Sequence, residues 1–357
     1  MRLSVIVPVY NLEELVGECL SSICASTSSD FEVICVNDGS TDGSSRVLHE
    51  WAERDPRIHV IDQEDKGVSN ARNAGIAIAR GDYLTFVDGD DRLAPGGLDL
   101  MLHACERLGC DVISFGASTF PEGFATDWLK RHLMVGDVAT KAFSADMVLG
   151  EDASPFMWGR VYRRSLVMDN DIRFAEHLSL GEDVCWLASC LPLAHRAASV
   201  SSCVYEYRLA RSGSLMTQQS KGSKAQLEKH LDVVDCVYDT WDAYGICDAH
   251  AVELADWAIR YVFYAVARQG DDVRQKLVVR MRDIWREHRV DTLHDRFPRE
   301  VRGMVDLALS YQDDGTSAWS PRRQSLACLV WRIYEYGLRD LAETALGRGG
   351  SRSGSGE

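Results

Sequence analysis

The chain has 357 residues, of which 46% are hydrophobic and 26% are charged, as is typical of a soluble globular protein. This length is enough for two or three domains with a substantial core. The formal net charge of −15 argues against binding nucleic acid through the overall electrostatic field, so we predict no nucleic-acid partner.

The cysteines predict the redox compartment. There are 11 of them, scattered in mostly apolar segments, with no CxxC pair and no zinc-ligand spacing. This pattern indicates free thiols in a reducing environment. No run approaches the ~18–20 apolar residues that a transmembrane helix needs. We therefore expect a cytoplasmic protein.

The first 115 residues alternate between predicted strands and helices. The predicted strands are 3–8, 31–37, 57–61, 83–86 and 111–115. The predicted helices are 12–24, a segment around Val47 to Trp51, 69–79 and 98–109, with Asn11 and Ser69 as candidate N-caps. This alternation predicts an α/β fold with a doubly wound, mostly parallel sheet.

Later residues are less regular. Residues 117–150 show no clear pattern, and residues 200–207 resemble a further strand. From about Lys224 the pattern is helical almost to the end, and residues 346–357 form a Gly- and Ser-rich tail of the flexible type.

An acidic strand end is the strongest local signal. Residues 83–87 form an apolar run that leads directly into Asp88, Asp90 and Asp91. Carboxylates are costly to bury, and ligands of open α/β sheets bind at the carboxyl ends of strands. Asp88 and Asp90 therefore suit a divalent metal that also holds phosphate. A solvated, acidic turn is the alternative for these residues taken alone.

Two other strand ends carry polar residues that suit a nucleotide. The first strand ends in Pro8, Tyr10 and Asn11, and Tyr10 offers a face for a base. The second ends near Asp38, whose carboxylate can accept the imide N–H of a uracil or thymine. Each of these residues taken singly is compatible with ordinary caps and turns, but their convergence on one sheet edge favours a ligand site.

A helix start lies between the third and fourth predicted strands. The segment begins at Lys66 and continues through Asn70 and Arg72. Backbone N–H groups at a helix start and an arginine one turn further on suit a diphosphate.

Four motifs in this order resemble glycosyltransferase family 2. They are VIVPVYN (residues 5–11), VNDGSTD (36–42), KGVSNARNAG (66–75) and FVDGDD (86–91). The resemblance implies a GT-A fold and an inverting, metal-dependent enzyme that uses a nucleotide sugar. It also implies that Asp38 reads the base and that Arg72 and its neighbours contact the diphosphate. Asp88 and Asp90 would then form the DxD motif that holds the ribose and Mg²⁺ or Mn²⁺.

The resemblance extends more weakly to two later motifs, WGRVYRR (158–164) and GED (181–183). In the family, the carboxylate of the second motif serves as the general base. Asp183 is therefore the candidate base, with Glu182 as the alternative. Both residues also fit the acidic first turn of a helix. Trp158 is either an apolar platform for a sugar ring or a core residue.

A loop after the last predicted strand is the candidate lid. It contains Tyr207, Arg208, Arg211, Ser212 and Ser214. A mobile basic loop would close over the diphosphate, although a plain surface loop fits equally well.

The resemblance assigns a role to each part of the chain. Residues 1–115 would be the nucleotide-sugar-binding half of a GT-A domain and 116–220 its acceptor-binding half, followed by a helical region at 221–345.

The run from Leu326 to Leu341 is amphipathic, with four arginines nearby. It predicts a helix packed on the protein, or alternatively a peripheral contact with the inner face of the plasma membrane.

We therefore expect a hexosyltransferase that uses a nucleotide sugar, with UDP as the predicted nucleotide, and a glycan or lipid-linked acceptor in cell-surface polysaccharide synthesis. A non-catalytic nucleotide-sugar-binding scaffold is the main alternative. A phosphohydrolase with a nucleophilic DxD strand fits less well, because such enzymes usually carry that motif on the first strand, which here ends in Pro-Val-Tyr-Asn.

Overall fold

The computed structural model describes residues 1–121, 125–140, 142–209 and 223–345. The chain divides into two compact units, Met1–Gln219 and Ser220–Glu357. Arg211, Ser212 and Ser214 of the predicted lid and the tail at 346–357 lie outside the described residues.

A nine-stranded sheet forms the centre of the first unit. Its strands are β1 (Leu3–Val9), β2 (Phe31–Asp38), β3 (Ile58–Gln63), β4 (Tyr83–Phe86), β5 (Arg92–Leu93), β6 (Val112–Phe120), β7 (Val138–Thr140), β8 (Arg160–Arg163) and β9 (Ala197–Arg208). The order is β3-β2-β1-β4-β8-β6-β9-β5, and β7 also pairs with β9.

Eight α-helices flank this sheet among the described residues. They are α1 (Val16–Cys24), α2 (Ser44–Arg54), α3 (Val68–Ile78), α4 (Gly97–Leu108), α5 (Asp127–Leu133), α6 (Asp146–Leu149), α7 (Arg164–Asp169) and α8 (Glu182–Cys190).

The parallel part of the sheet confirms the predicted α/β architecture. Strands β1 to β4 are all parallel, with Leu3 opposite both Phe31 and Tyr83. β1 and β2 are buried along their whole length, as their unbroken apolar runs predict. Beyond β4 the sheet becomes mixed, because β8 pairs antiparallel with β4 and with β6. The sheet is therefore parallel throughout its first half and mixed beyond it, where β6 and β9 form a further parallel pair.

Both predicted N-caps are wrong. Asn11 has a positive φ of 52°, and its Oδ1 accepts a hydrogen bond from the N–H of Thr41 at 2.8 Å, while α1 begins five residues later. In the second case α3 begins at Val68 after Gly67, whose φ of 88° suits glycine. Ser69 therefore lies inside the first turn. Asn11 instead links the loop after β1 to the loop after β2.

The segment without a clear pattern contains regular structure. β6 continues to Phe120, and the hydroxyl of Thr126 caps α5 by accepting from the N–H of Leu129 at 3.2 Å. The pairing of β6 with β9 includes a bulge, since Phe115 lies opposite Val200 but Ala117 lies opposite Tyr205. β9 therefore carries three more residues than β6 across this interval.

The second unit is helical within the described residues. Its elements are α9 (Lys224–Ala243), α10 (Ala251–Ala258), a π-helical turn (Ile259–Phe263), α11 (Tyr264–Ala267), α12 (Asp271–Glu287), a 3₁₀ helix (Val290–Arg296), α13 (Arg299–Leu309) and α14 (Pro321–Ala345). Trp241, Trp285 and Trp331 are fully buried in this unit. Among the residues described, no helix combines the length and the apolar character needed to cross a bilayer.

The packing face of α14 differs from the predicted one. Trp331 is buried and lies 4.8 Å from the ring of Tyr264, measured between centroids. The predicted apolar face includes Leu326, Leu329 and Tyr334, which are 57%, 43% and 50% exposed. The helix is therefore anchored by Trp331, and part of its apolar stripe faces solvent.

Candidate active site

The acidic strand end lies above an aromatic cluster. β4 is buried, and its last residue, Phe86, makes edge-on contacts with the rings of Phe174 at 5.2 Å and Trp186 at 5.4 Å. Trp186 also stacks on Phe174, with 4.2 Å between ring centroids. This packing supports the backbone where Asp88 leaves the sheet.

Asp91 anchors β9 to the acidic motif. It is buried, and its carboxylate accepts from the hydroxyl of Tyr205 at 2.7 Å and from the backbone N–H of Arg208 at 2.7 Å. The Tyr205 hydroxyl also accepts from the N–H of Asp88 at 3.2 Å. The sequence left the role of Asp91 open. In the structure its carboxylate fixes the loop that carries the acidic motif. The role of Tyr205 was not predicted from the sequence, because its partner Asp91 lies 114 positions earlier in the chain.

A buried arginine joins the acidic motif to the later Glu–Asp pair. Arg72 donates to Asp88 at 2.9 Å and, through its other terminal nitrogen, to Glu182 at 3.0 Å and Asp183 at 3.5 Å. Its guanidinium carbon lies 5.1 Å from the centroid of the Phe174 ring. Burial opposes the charge of Arg72, but the three carboxylates outweigh it and raise the pKa of the guanidinium. Arg72 is therefore fully charged.

The ion pairs of Arg72 favour a positioning role over the predicted contact with the diphosphate. Both terminal nitrogens already face carboxylates, so Arg72 is placed to position those carboxylates relative to one another. The sequence placed Asp88 and Asp183 in separate motifs, and the structure brings both into contact with one side chain.

Asp183 has the electrostatics of a proton acceptor. It lies in the first turn of α8, and its Oδ2 accepts from the N–H of Met157 at 3.5 Å. Burial, followed by the charge of Glu182, raises the pKa of Asp183 to about 8, although Arg72 opposes the rise. Glu182 makes the shorter ion pair with Arg72, at 3.0 Å against 3.5 Å. A carboxylate with a raised pKa binds a proton more readily than an ordinary one.

The WGRVYRR motif holds the loop that faces Asp183. Arg160 is buried and donates to the carbonyls of Phe156 at 3.0 Å and Ser154 at 2.9 Å. Tyr162 donates its hydroxyl to the carbonyl of Met157 at 2.7 Å. These bonds fix the backbone that presents the Met157 N–H to Asp183.

Trp158 is an interior residue of an aromatic stack. Only 5% of it is exposed, and its ring lies 4.4 Å from that of Phe156 and 4.4 Å from that of Tyr205, with interplanar angles of 14° and 10°. The ring therefore has little surface to offer a sugar, which favours the core interpretation over an open platform.

The predicted nucleotide side lies at the ends of β2 and β3. Asp38 is buried, and its Oδ1 accepts from the side chain of Gln63 at 2.7 Å and from the N–H of Lys66 at 3.0 Å. Gln63 also donates to Oδ1 of Asn70 at 2.9 Å. These bonds fix the orientation of the Asp38 carboxylate. The sequence did not indicate a role for Gln63, because the third strand was predicted to end at Ile61 and β3 continues to Gln63.

The loops around Asp38 approach closely at Gly39. A Cβ there would lie 2.5 Å from the backbone nitrogen of Asp65, and the φ of Gly39 is +71°. Glycine is thus required by both space and conformation.

The end of the neighbouring strand β1 carries two of the predicted nucleotide-binding residues. Pro8 is buried in the strand, whereas Tyr10 is 46% exposed and available to a planar ligand.

Arg208 differs from its predicted setting. It is the last residue of β9 rather than part of a mobile loop. Its side chain donates to the carbonyl of Asp90 at 2.6 Å, pairs with Glu18, and lies over the ring of Phe120 at 4.3 Å. Arg208 therefore holds the backbone of the acidic motif.

The acidic motif has the donor chemistry that a hard divalent cation requires. Burial raises the pKa of Asp88, and Asp90 adds to that rise against the effect of Arg72. Burial and the charges of Asp90 and Asp88 likewise raise the pKa of Asp91. A divalent cation would relieve this repulsion, and carboxylate oxygens are the ligands that Mg²⁺ prefers. Asp88 and Asp90 therefore fit the predicted metal.

Comparison with known proteins identifies the chain's relatives. The family model for glycosyl transferase family 2 matches residues 4–169. The glycosyltransferase EpsJ of Bacillus subtilis is 30% identical over 247 residues, which cover 68% of this chain and 72% of EpsJ. The poly(ribitol-phosphate) beta-glucosyltransferase of Bacillus spizizenii is 29% identical over 61% of this chain, but this match spans only 34% of that protein.

A solved structure shares the fold. The crystal structure of S. aureus TarS 1-349 in complex with UDP-GlcNAc matches with a TM-score of 0.71 and 20% identity, covering 94% of this chain and 92% of that chain. The match to EpsJ, the family model and the four ordered motifs agree, so the chain belongs to glycosyltransferase family 2 and is a glycosyltransferase.

Proposed function

We propose that the protein transfers a sugar from a UDP-sugar to a hydroxyl of a glycan or lipid-linked acceptor, with inversion at the anomeric carbon. Asp183 is the general base, and Asp88 and Asp90 hold the ribose side of the donor and Mg²⁺ or Mn²⁺. Tyr10 and Asp38 receive the base of the nucleotide.

One observation carries this proposal. Arg72 makes ion pairs with Asp88 and, on its other side, with Glu182 and Asp183. A transferase needs its leaving-group site and its base close enough to act on one sugar ring, and a shared guanidinium supports that proximity. A phosphohydrolase has no need of the second carboxylate pair, and a scaffold has no need of a raised pKa at Asp183.

The chain's own residues supply the proton chemistry. Asp183 takes the proton of the acceptor hydroxyl as that oxygen forms its bond to the anomeric carbon and the bond to the nucleoside diphosphate breaks. The metal, when bound, would offset negative charge on the departing diphosphate. Arg72 keeps the Asp183 carboxylate aligned, while Met157 holds its second oxygen.

The choice of donor and acceptor rests on the relatives. TarS was crystallised with UDP-GlcNAc and also with UDP, which supports a uridine nucleotide here. A relative named as a poly(ribitol-phosphate) beta-glucosyltransferase supports a cell-surface polymer as acceptor.

A donor screen tests the activity. UDP release from a panel of UDP-sugars and dTDP-sugars is measured with Mg²⁺, with Mn²⁺ and with EDTA, and we expect release only with a metal and a UDP-sugar. Asp90→Ala should abolish metal-dependent donor binding, whereas Asp169→Ala, at an exposed aspartate, should not. Donor binding without hydrolysis or transfer would favour the scaffold, and phosphate release from a phosphomonoester would favour the phosphohydrolase.

Peripheral membrane contact through α14 is a separate part of the proposal. Leu326 and Leu329 are exposed, and Arg322 and Arg323 lie at the start of the same helix, where they suit anionic headgroups. The full chain should co-sediment with anionic vesicles, and a Leu326→Glu, Leu329→Glu variant should not. Equal sedimentation of both proteins would refute the contact.

A further inference from the structure

A second group of metal-ligating side chains lies in the helical unit. Asp235 and Asp239 are one turn apart on α9, and His288 directly follows α12. A carboxylate oxygen of each aspartate and a ring nitrogen of His288 all lie within 4.8 Å of one another. No role in the proposed transfer reaction is assigned to these residues.

The burial of His288 distinguishes this group from an ordinary acidic surface. Its side chain is 3% exposed, and neither ring nitrogen makes a hydrogen bond. Burying an imidazole without hydrogen-bond partners is unfavourable. The Nε2 atom points at the cluster, 3.5 Å from Oδ1 of Asp239.

The spacing suits two ligands of one cation. Zinc binds imidazole nitrogen and carboxylate oxygen at ~2.1 Å, which places neighbouring ligands of a tetrahedral site ~3.4 Å apart. The 3.5 Å between His288 and Asp239 is close to that separation. Asp235, one turn earlier on the same face of α9, supplies the third ligand with a small side-chain rotation.

The neighbouring arginines are directed to other carboxylates. Arg280 pairs with Asp232, and Arg289 pairs with Asp242 at 3.4 Å and lies 3.8 Å from Asp248. Asp242 also lies 3.9 Å from Nδ1 of His288. Within the described part of the chain, no arginine or lysine forms an ion pair with Asp235 or Asp239, so their charge is available to a cation.

We propose that Asp235, Asp239 and His288 bind a divalent transition-metal ion, Zn²⁺ by its ligand chemistry, and thereby join α9 to the end of α12. Mixed imidazole and carboxylate ligands favour Zn²⁺ over Mg²⁺ or Ca²⁺, which prefer oxygen alone. The site is independent of the proposed transferase chemistry.

Contacts around the site already join α9 to α12, so a bound ion would strengthen an existing junction. Trp285 of α12 donates its indole N–H to the hydroxyl of Tyr238 of α9 at 3.1 Å, and the Tyr238 ring lies 5.2 Å from that of His288. An ion that binds only the folded state raises its stability by mass action.

Metal content of the full-length protein tests the proposal. Chelator-stripped protein is dialysed against Zn²⁺ and, separately, Co²⁺, and bound metal and thermal stability are measured. The wild type should retain one more Zn²⁺ per chain than His288→Gln. The affinity of the variant should fall at least ~100-fold, since loss of an outer-shell partner alone costs ~10–100-fold. Co²⁺ should give a visible spectrum without a thiolate charge-transfer band.

Matched variants separate ligation from folding. Asp239→Asn changes a mostly exposed side chain, and should lose the ion while remaining folded without metal. Asp291→Asn, at another exposed aspartate of the same unit, should bind as the wild type does. Asp90→Ala should keep this ion, because its position is in the active site. Equal Zn²⁺ content in wild type, His288→Gln and Asp239→Asn, or none in the wild type, would overturn the proposal.

Discussion

The active site and the junction of α9 with α12 both gather carboxylates around one buried basic side chain. In the active site that side chain is Arg72, whose terminal nitrogens bind three carboxylates. At the helix junction it is His288, whose ring nitrogens make no hydrogen bond. Arginine is always charged and donates in a fixed fork, whereas a neutral imidazole can ligate a metal. The first cluster thus contains a permanent positive charge that offsets part of the charge of its three carboxylates, whereas the second has the form of a site for an added ion.

The largest effect expected is on the base. Asp183→Asn should leave donor binding near normal but lower kcat by ~10²–10⁴-fold, the usual contribution of a general base. Glu182→Gln is the matched control and should retain far more activity. Donor binding is measured by calorimetry and turnover by transfer to acceptor. Wild-type turnover in Asp183→Asn, or the reverse ranking of the two variants, would move the base to another residue.

Removing the guanidinium tests how far the charge of Arg72 stabilises the first cluster. Arg72→Met should lower the free energy of unfolding by about 3–5 kcal/mol, because it leaves three partly buried carboxylates without their buried partner. Urea denaturation at neutral pH measures the loss. Arg46→Met, which removes exposed ion pairs to Glu13 and Glu50, should change stability by less than about 1 kcal/mol. Equal stabilities of the two variants would contradict the role given to Arg72.

The link between β9 and the acidic motif is a smaller test. Tyr205→Phe removes the hydroxyl that bonds to Asp91 and to the N–H of Asp88, and should cost about 1–3 kcal/mol of stability. It should also raise the KM for the donor. Tyr238→Phe removes a buried hydroxyl from the helical unit and should affect stability alone. An unchanged donor KM in Tyr205→Phe would show that Asp91 is positioned without it.

The last test is the pH dependence of the wild type, which involves no substitution in the active site. Because the pKa of Asp183 is about 8, kcat/KM for the donor should rise ~tenfold per pH unit below pH 8 and level off above it. Glu182→Gln should shift the rise to lower pH, since the Glu182 charge raises that pKa. The same proton makes the opposite contribution to stability, which is present below the unfolded pKa of ~4 and lost as pH rises through 8. A flat profile between pH 6 and 8 would contradict the base assignment.

The sequence predicted the parallel half of the sheet better than the remainder. Buried parallel strands such as β1 are unbroken apolar runs, and their polar ends mark the ligand edge without any knowledge of tertiary contacts. β8 (RVYR) and the far end of β6 (GASTF) contain polar residues and glycine, so neither forms an unbroken apolar run.

The site was predictable as a set of residues but not as a set of contacts. Asp88 and Asp183 were both named from their motifs, while the bridge between them through Arg72 spans 111 positions in the chain. The contact between Tyr205 and Asp91 could not be predicted for the same reason, since the two residues are far apart in the chain. The caps at Asn11 and Ser69 failed because a loop partner and a glycine competed with local preference.

The bulge in β9 determines how much change in chain length this enzyme tolerates. Three additional residues between Val200 and Tyr205 determine which side chains of the strand point at Asp91. A single-residue deletion in that interval would turn Tyr205 to the opposite face of the sheet, because neighbouring strand residues alternate in direction. Homologues can therefore vary in length at exposed turns but should keep the count from Val200 to Tyr205 constant or change it by two.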